Sequence, residues 1–245
     1  MKTVFLCSSY CIREENRLDP ANHFIEELKK ALTKPVRGVF VCSDPQEYEL
    51  TDAYAYSTRG CFETEGFAFT DYAVLDARTA KEAPELIREA GLVILSGGHV
   101  PTQHRFMEEI RLRELLRDFD GIVIGSSAGS MNCADTVYSQ PELDGEALDP
   151  EYKRFFPGLG LTPVQILPHY QEVKDFVLDG LRIFEEIAYP DSMGQCFYVL
   201  VDGSYILVTP RETRVFGLSW TIQDGVMRPL CGEGETRLLA GSAAK

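Results

Sequence analysis

Short, largely apolar runs rich in β-branched residues recur through the first half of the chain, at residues 3–6, 36–41, 72–75, 92–95 and 122–124. Continuous apolarity, rather than alternation, is what a strand needs when both of its faces are covered, as in a parallel sheet. Amphipathic stretches separate these runs. Asp19-Pro20 offers an N-cap and a proline at the first helical position, ahead of a helix to about Leu32. Further helices are predicted over roughly 45–58 and 80–89. Thr102 is placed to cap a segment reaching Arg117, in which Phe106, Ile110, Leu112, Leu115 and Leu116 fall near helical period. Strands alternating with helices predict an α/β fold: three layers, doubly wound around a mostly parallel sheet.

The last quarter changes character. Residues 197–201 and 205–208 flank Asp202-Gly203-Ser204, and residues 214–222 and 226–230 flank Gln223-Asp224-Gly225. Both read as hairpins, because Asp-Gly tolerates the positive φ of a tight turn. The sheet is therefore expected to gain antiparallel hairpin strands at its C-terminal edge. With no linker, repeat or low-complexity tract, residues 1–240 are expected to form a single α/β domain and 241–245 a flexible tail.

Composition narrows the functional classes. The chain has 245 residues, 44% of them hydrophobic, and a formal charge of −14. Ordinary apolar content excludes a disordered or fibrous chain. The acidic surplus repels a phosphate backbone, so no nucleic-acid partner is expected. Seven cysteines without a CxxC pair point to reduced thiols rather than a disulfide framework. The apolar run at the start, residues 4–7, is short of the roughly 7–15 residues of a signal-peptide core. The uncharged stretch 121–134 is too short and too rich in Gly and Ser to span a bilayer. A cytoplasmic protein without a membrane partner, monomeric or homodimeric, is the expectation.

The chemistry concentrates where an apolar strand runs into Gly125-Ser126-Ser127-Ala128-Gly129. G-x-S-x-G between a strand and a helix is the nucleophile-elbow pattern, in which a tight turn projects one side chain above the sheet edge. Ser127 is the residue projected, and catalysis or a plain glycine turn are both open on this string alone. A second strand ends in Ser96-Gly97-Gly98-His99. In right-handed βαβ units both strand ends reach the same rim of the sheet. There the amides of Gly98 and Ala128 are candidate oxyanion donors, and Gly97 and His99 candidate pocket residues. Of the four histidines, His23 and His104 fall on helices, the one a surface or packing residue and the other solvated. His169, at the strand end in Pro168-His169-Tyr170, is the candidate general base.

Together the elbow, the Ser96-Gly97-Gly98 loop and Pro168-His169-Tyr170 resemble the peptidase E family of serine peptidases, which includes aspartyl dipeptidases and the related cyanophycinases. The resemblance covers roughly residues 90–210. It implies a fold like that of class I glutamine amidotransferases, no cofactor, and hydrolysis of a small peptide through an acyl-enzyme. Carried over residue by residue, Ser127 is the nucleophile and His169 the base. An acidic residue between them orients the imidazole, with Glu142 the first choice and Asp135 its competitor. The family's aspartyl preference depends on basic residues soon after the histidine. Gln171-Glu172-Val173-Lys174-Asp175 supplies only Lys174, so either Arg59 or Arg105 provides the charge or the substrate differs.

Three rival readings remain. An α/β-hydrolase-like esterase shares the elbow, although its histidine normally follows a longer excursion. An amidotransferase would carry Cys at the elbow, whereas Cys133 falls later, on the following helix. A catalytically silent binding module would keep the fold without the reaction. No HExxH string or phosphate-loop lysine is present, and no metal site is expected.

Overall fold

The computed structural model describes residues 2–239. The five apolar runs form parallel strands: β1 (Thr3–Cys7), β2 (Val36–Val41), β3 (Phe69–Leu75), β4 (Leu92–Leu95) and β5 (Ile122–Ser126). They lie side by side in the order β1-β5-β4-β2-β3. Side chains alternate between the two faces. Val4, Leu6, Val39, Val41, Val93, Leu95 and Val123 enter one core, and Phe5, Cys7, Phe40, Ile94 and Ile124 the other. Helices α1 (Phe24–Ala31) and α2 (Tyr48–Thr64) cover the second face; α3 (Ala83–Glu89), α4 (Val100–Glu109) and α5 (Ala128–Asn132) cover the first. The near-continuous apolarity of the central strands thus has its physical reason in a helical layer on each side. No helix among the described residues is long and apolar enough to cross a membrane.

Helix boundaries depart from expectation where backbone chemistry intervenes. Asp19 accepts the Ala21 amide with its side chain, but only a 3₁₀ turn follows. Asn22 and His23 take left-handed conformations, and α1 starts at Phe24. The helix predicted at Thr102 begins earlier, at Val100, because Pro101 fits the first turn. It also stops at Glu109. Arg111, at φ 55°, breaks the segment before the short turn Leu112–Leu115.

The C-terminal strands divide between two sheets. Strand β6 (Gln165–Leu167) pairs in parallel with β7 (Cys196–Leu200), which pairs antiparallel with β10 (Ser219–Gln223), itself paired with β11 (Val226–Cys231). Strands β8 (Tyr205–Val208), β9 (Thr213–Phe216) and β12 (Thr236–Leu238) instead extend the large sheet beyond β1, all antiparallel. The hairpin expected around Asp224-Gly225 forms between β10 and β11. The one expected around Asp202-Gly203 does not, because β7 and β8 belong to different sheets. The open edge of β1 captures β8, and the turn itself is drawn to the exit of β1. Ser8 donates its amide to the Ser204 carbonyl and Gly203 to that of Ser9. Likewise the single strand expected over 214–222 is split at Gly217, φ +85°, where an added Cβ would lie 2.3 Å from the Asn22 amide nitrogen. The tail expected at 241–245 lies outside the described residues.

Candidate active site

The register of the parallel sheet lines up the pieces of the site. Cys7 of β1 stands opposite Ser126 of β5, and Leu95 of β4 opposite Gly125. Ser8, Ser127 and Ser96-Gly97 therefore leave the sheet abreast at its carboxyl rim, where open α/β sheets bind their ligands.

The turn at Ser127 is sharp. Its φ of 50° and ψ of −116° fall outside the regions open to a side-chain-bearing residue, a conformation that costs about 1–3 kcal/mol and persists only when its surroundings enforce it. They do so here: the Ser127 amide is shared by the carbonyls of Cys7 and Ser8, at 3.0 and 3.1 Å. The flanking glycines are steric necessities. A Cβ on Gly125 would lie 2.5 Å from the Ser130 nitrogen, and one on Gly129 would lie 2.3 Å from the Leu95 carbonyl oxygen. Gly97 closes against the elbow from the side, since a Cβ there would sit 3.3 Å from that of Ser127. Gly98 packs against Ser43, and the buried Ala128 opens helix α5. A buried amide chain pins this rim. Gln103 donates to the Ser96 and Cys42 carbonyls and accepts from Asn132 of α5, which also reaches Val100.

His169 sits in a left-handed turn after β6, at φ 57°. Its Nδ1 lies 2.8 Å from Asp202 Oδ1. With the carboxylate accepting, Nδ1 holds the proton and Nε2 carries the lone pair. Buried Ser8 ties the two residues together. Its hydroxyl accepts the His169 backbone N–H at 2.8 Å and donates to Asp202 Oδ1 at 2.6 Å. The Asp202 amide in turn donates to Gln171 Oε1. Burial works against the His169 imidazolium, but the bond to Asp202 and its charge, helped by Glu172 and Glu142, outweigh it and hold the group above the ordinary histidine value. Burial also disfavours the Asp202 carboxylate, yet the His169 bond and charge, with Ser8 and Gln171, bring it below the usual aspartate range. Replacing Ser8 by Ala leaves the His169 amide without its acceptor. The expected cost is about 1–3 kcal/mol of stability and a fall in kcat of about tenfold, since a positioning error of 1.4 kcal/mol is a factor of ten; thermal unfolding and steady-state kinetics read both.

Of the acidic residues expected from the sequence, Glu142 acts on His169 through its charge and Asp135 lies away from it. The Nδ1 partner of His169 is Asp202, not Glu142. Glu142 lies at the solvent edge of the site, in a loop whose fold is set by Glu146. One Glu146 oxygen accepts the amides of Glu142 and Leu143, and the other lies 2.9 Å from His99 Nε2. His99 also bonds Thr102 through Nδ1, so this pair straps the 142–146 loop to the glycine loop. Crowding by protein atoms, and next the charge of Glu146, push Glu142 up to about 7, with His169 pulling the other way. Asp135 is exposed beyond α5, where its backbone bonds Thr162 and Gly158. His104, expected to be solvated, packs its ring against that of Phe156, 4.3 Å between centroids, and lies 3.5 Å from Glu108. Ser8 and Asp202 went unread in the sequence. Ser8 directly follows a strand, and Asp202 was masked by the turn signal it shares with Gly203.

A cavity of about 280 Å³ opens beside the elbow, between the exit of β1, helix α2 and the glycine loop. Ser9, Tyr10, Tyr54, Ser57, Gly97 and Ser126 are among the residues that line it.

With this geometry in view, residues 4–214 match peptidase family S51. The fold is similar to that of a putative peptidase E protein from Listeria monocytogenes EGD-e, with a TM-score of 0.60 at 15% identity, over 94% of this chain and 99% of that one. No curated protein sequence matches the chain significantly. The elbow serine, the histidine at the same rim and the family match over most of the chain converge: the chain belongs to peptidase family S51 and is a serine peptidase.

Proposed function

We propose that the protein hydrolyses the amide bond of a small peptide, a dipeptide in the simplest case, through a Ser127-His169-Asp202 triad. The observation that carries this reading is the strained Ser127 elbow at the same rim as an imidazole whose Nδ1 is locked onto a carboxylate. A histidine held in that tautomer offers Nε2 as a base, and the carboxylate stabilises the imidazolium that forms.

In the proposed reaction His169 Nε2 takes the Ser127 proton as Oγ attacks the scissile carbonyl. The Gly98 and Ala128 amides donate to the developing oxyanion. Collapse of the tetrahedral intermediate breaks the C–N bond, and the imidazolium gives its proton to the leaving amine. Water, deprotonated by the same imidazole, then releases the acyl group and restores the serine. Glu142 is an electrostatic neighbour in this scheme rather than the orienting acid. A short substrate is favoured by the 142–146 loop, which His99 and Glu146 strap across one side of the site.

The test is a fluorophosphonate probe followed by dipeptide hydrolysis. Labelling at Ser127 alone, with cleavage of dipeptides faster than of p-nitrophenyl esters of similar size, is expected. An unlabelled Ser127 favours a silent module, and ester turnover without amide turnover favours an esterase. The reaction needs neutral His169, whose pKa is raised, so kcat/KM is expected to fall as the pH drops through an acid limb above the ordinary value of about 6.5. A limb near 5 in the pH–rate profile would contradict the assigned base.

A further inference from the structure

The cavity beside the elbow carries no charge. Hydroxyl-bearing residues dominate its lining, Ser9, Ser57, Thr58, Ser96 and Ser126 with Tyr10 and Tyr54, beside the thiol-bearing Cys11 and the apolar Phe40 and Ala53. Burial keeps the Tyr10 phenol protonated, and Thr58 shares a hydrogen bond with it. Of the three cations considered for an acidic substrate, exposed Lys174 lies outside this lining, and Arg59 and Arg105 are engaged elsewhere. Arg59, one residue beyond Thr58, bonds Glu63 at 2.8 Å and lies over the Tyr72 ring. Arg105 reaches the Thr102 hydroxyl at 3.3 Å, on the other side of the glycine loop. Neither lines the cavity.

Position links this cavity to the reacting bond. Ser126 immediately precedes the nucleophile, and Gly97 touches it. A substrate carbonyl above Ser127 therefore has its own residue's side chain within reach of this opening. We infer that the cavity receives the side chain of the residue whose carbonyl is attacked, and that it selects uncharged side chains over aspartyl. The inference rests on the serine-peptidase reading of Ser127 and adds the substrate class. A carboxylate entering here would lose its hydration and meet hydroxyls but no counter-ion, a loss that uncharged side chains escape. Asparagine, isosteric with aspartate, keeps its hydrogen bonds to the hydroxyls at no charge penalty. The formal charge of −14 adds repulsion in the same direction.

Calorimetric binding to the full-length Ser127→Ala protein separates pocket preference from turnover. Asn-Leu is expected to bind at least about thirtyfold more tightly than Asp-Leu. Leu-Asn and Leu-Asp, which carry the same difference on the leaving residue, should differ by less than about threefold. That second pair isolates the pocket from the overall charge. Ser57→Arg, made in the same background, should narrow the Asn/Asp gap at least tenfold, and Ala53→Lys serves the same purpose if the first variant does not fold. Equal or tighter binding of Asp-Leu overturns the inference, as does the same discrimination at both positions or the absence of binding by every dipeptide. Fluorophosphonate labelling of the wild-type protein keeps the two readings apart. Labelled Ser127 with an aspartyl-preferring pocket defeats only this inference, whereas unlabelled Ser127 defeats the peptidase assignment on which it stands.

Discussion

Replacing Ser127 by alanine is expected to lower kcat/KM for any cleaved dipeptide by about 10⁴-fold or more, the loss typical of deleting an acyl-transfer nucleophile. Stability should barely change. Alanine keeps the Cβ and therefore the strained φ of 50°, and the backbone bonds from the Ser127 amide to Cys7 and Ser8 do not involve the hydroxyl. Ser127→Gly separates strain from chemistry. Glycine relieves about 1–3 kcal/mol of backbone strain and gives back about 0.5–1 kcal/mol in unfolded-chain entropy. The glycine variant should thus be at least as stable as the alanine variant and equally inactive. Thermal melts beside dipeptide kinetics check both halves. Retained hydrolysis in either variant would remove Ser127 from the mechanism, and a glycine variant clearly less stable than alanine would remove the strain.

Asp202→Asn should be nearly as damaging to turnover, lowering kcat/KM by about 10³–10⁴-fold, because an amide at this position no longer fixes the imidazole tautomer or stabilises its cation. It should also shift the acid limb of the pH–rate profile downward, since the carboxylate is what outweighs burial at His169. A merely structural role would lower stability without moving that limb. Glu142→Gln supplies the contrast. Turnover is expected to change by less than about tenfold, and the signature lies in stability. Crowding by protein atoms, with the charge of Glu146, pushes the Glu142 carboxyl of the folded protein from its ordinary 4.5 up to about 7. Between these values the folded state holds a proton that the unfolded chain has released, so wild-type stability declines as pH rises through that window. The glutamine variant escapes the decline. It should melt above wild type at pH 8 and equal it below about pH 4.5. If instead Glu142→Gln abolishes turnover and Asp202→Asn spares it, Glu142 is the orienting acid.

Much of this architecture was legible because its causes are local. The runs at 36–41 and 92–95 are strands wherever they are covered on both faces, and their composition says that they are. The elbow is legible for the same reason. Gly125 and Gly129 are required by contacts with Ser130 and with the neighbouring strand's Leu95, and the string G-x-S-x-G records that crowding directly. Helix ends were harder. Whether Asn22 and His23 or Arg111 turn left-handed depends on what the chain must reach next, which periodicity does not encode.

The carboxylate partner of His169 shows most clearly where sequence reasoning stops. Asp202-Gly203 is correctly a turn, but a turn between adjacent strands and a turn between two sheets carry the same dipeptide. Local pattern favoured the hairpin. The open edge of β1 decided otherwise, by pairing with β8 and pulling the turn to within hydrogen-bonding distance of Ser8 and His169. Ser8 and Asp202 are 194 positions apart along the chain, and no pattern of neighbours could announce that contact. By itself the sequence determined the strands, the helical layers and the sharp glycine-flanked turn at Ser127, because apolar runs and the crowding of a tight turn leave their mark in the local string. Tertiary structure decided which carboxylate meets the imidazole and which cations stay away from the pocket, because strand pairing and charge partnership act between segments whose separation the chain does not reveal.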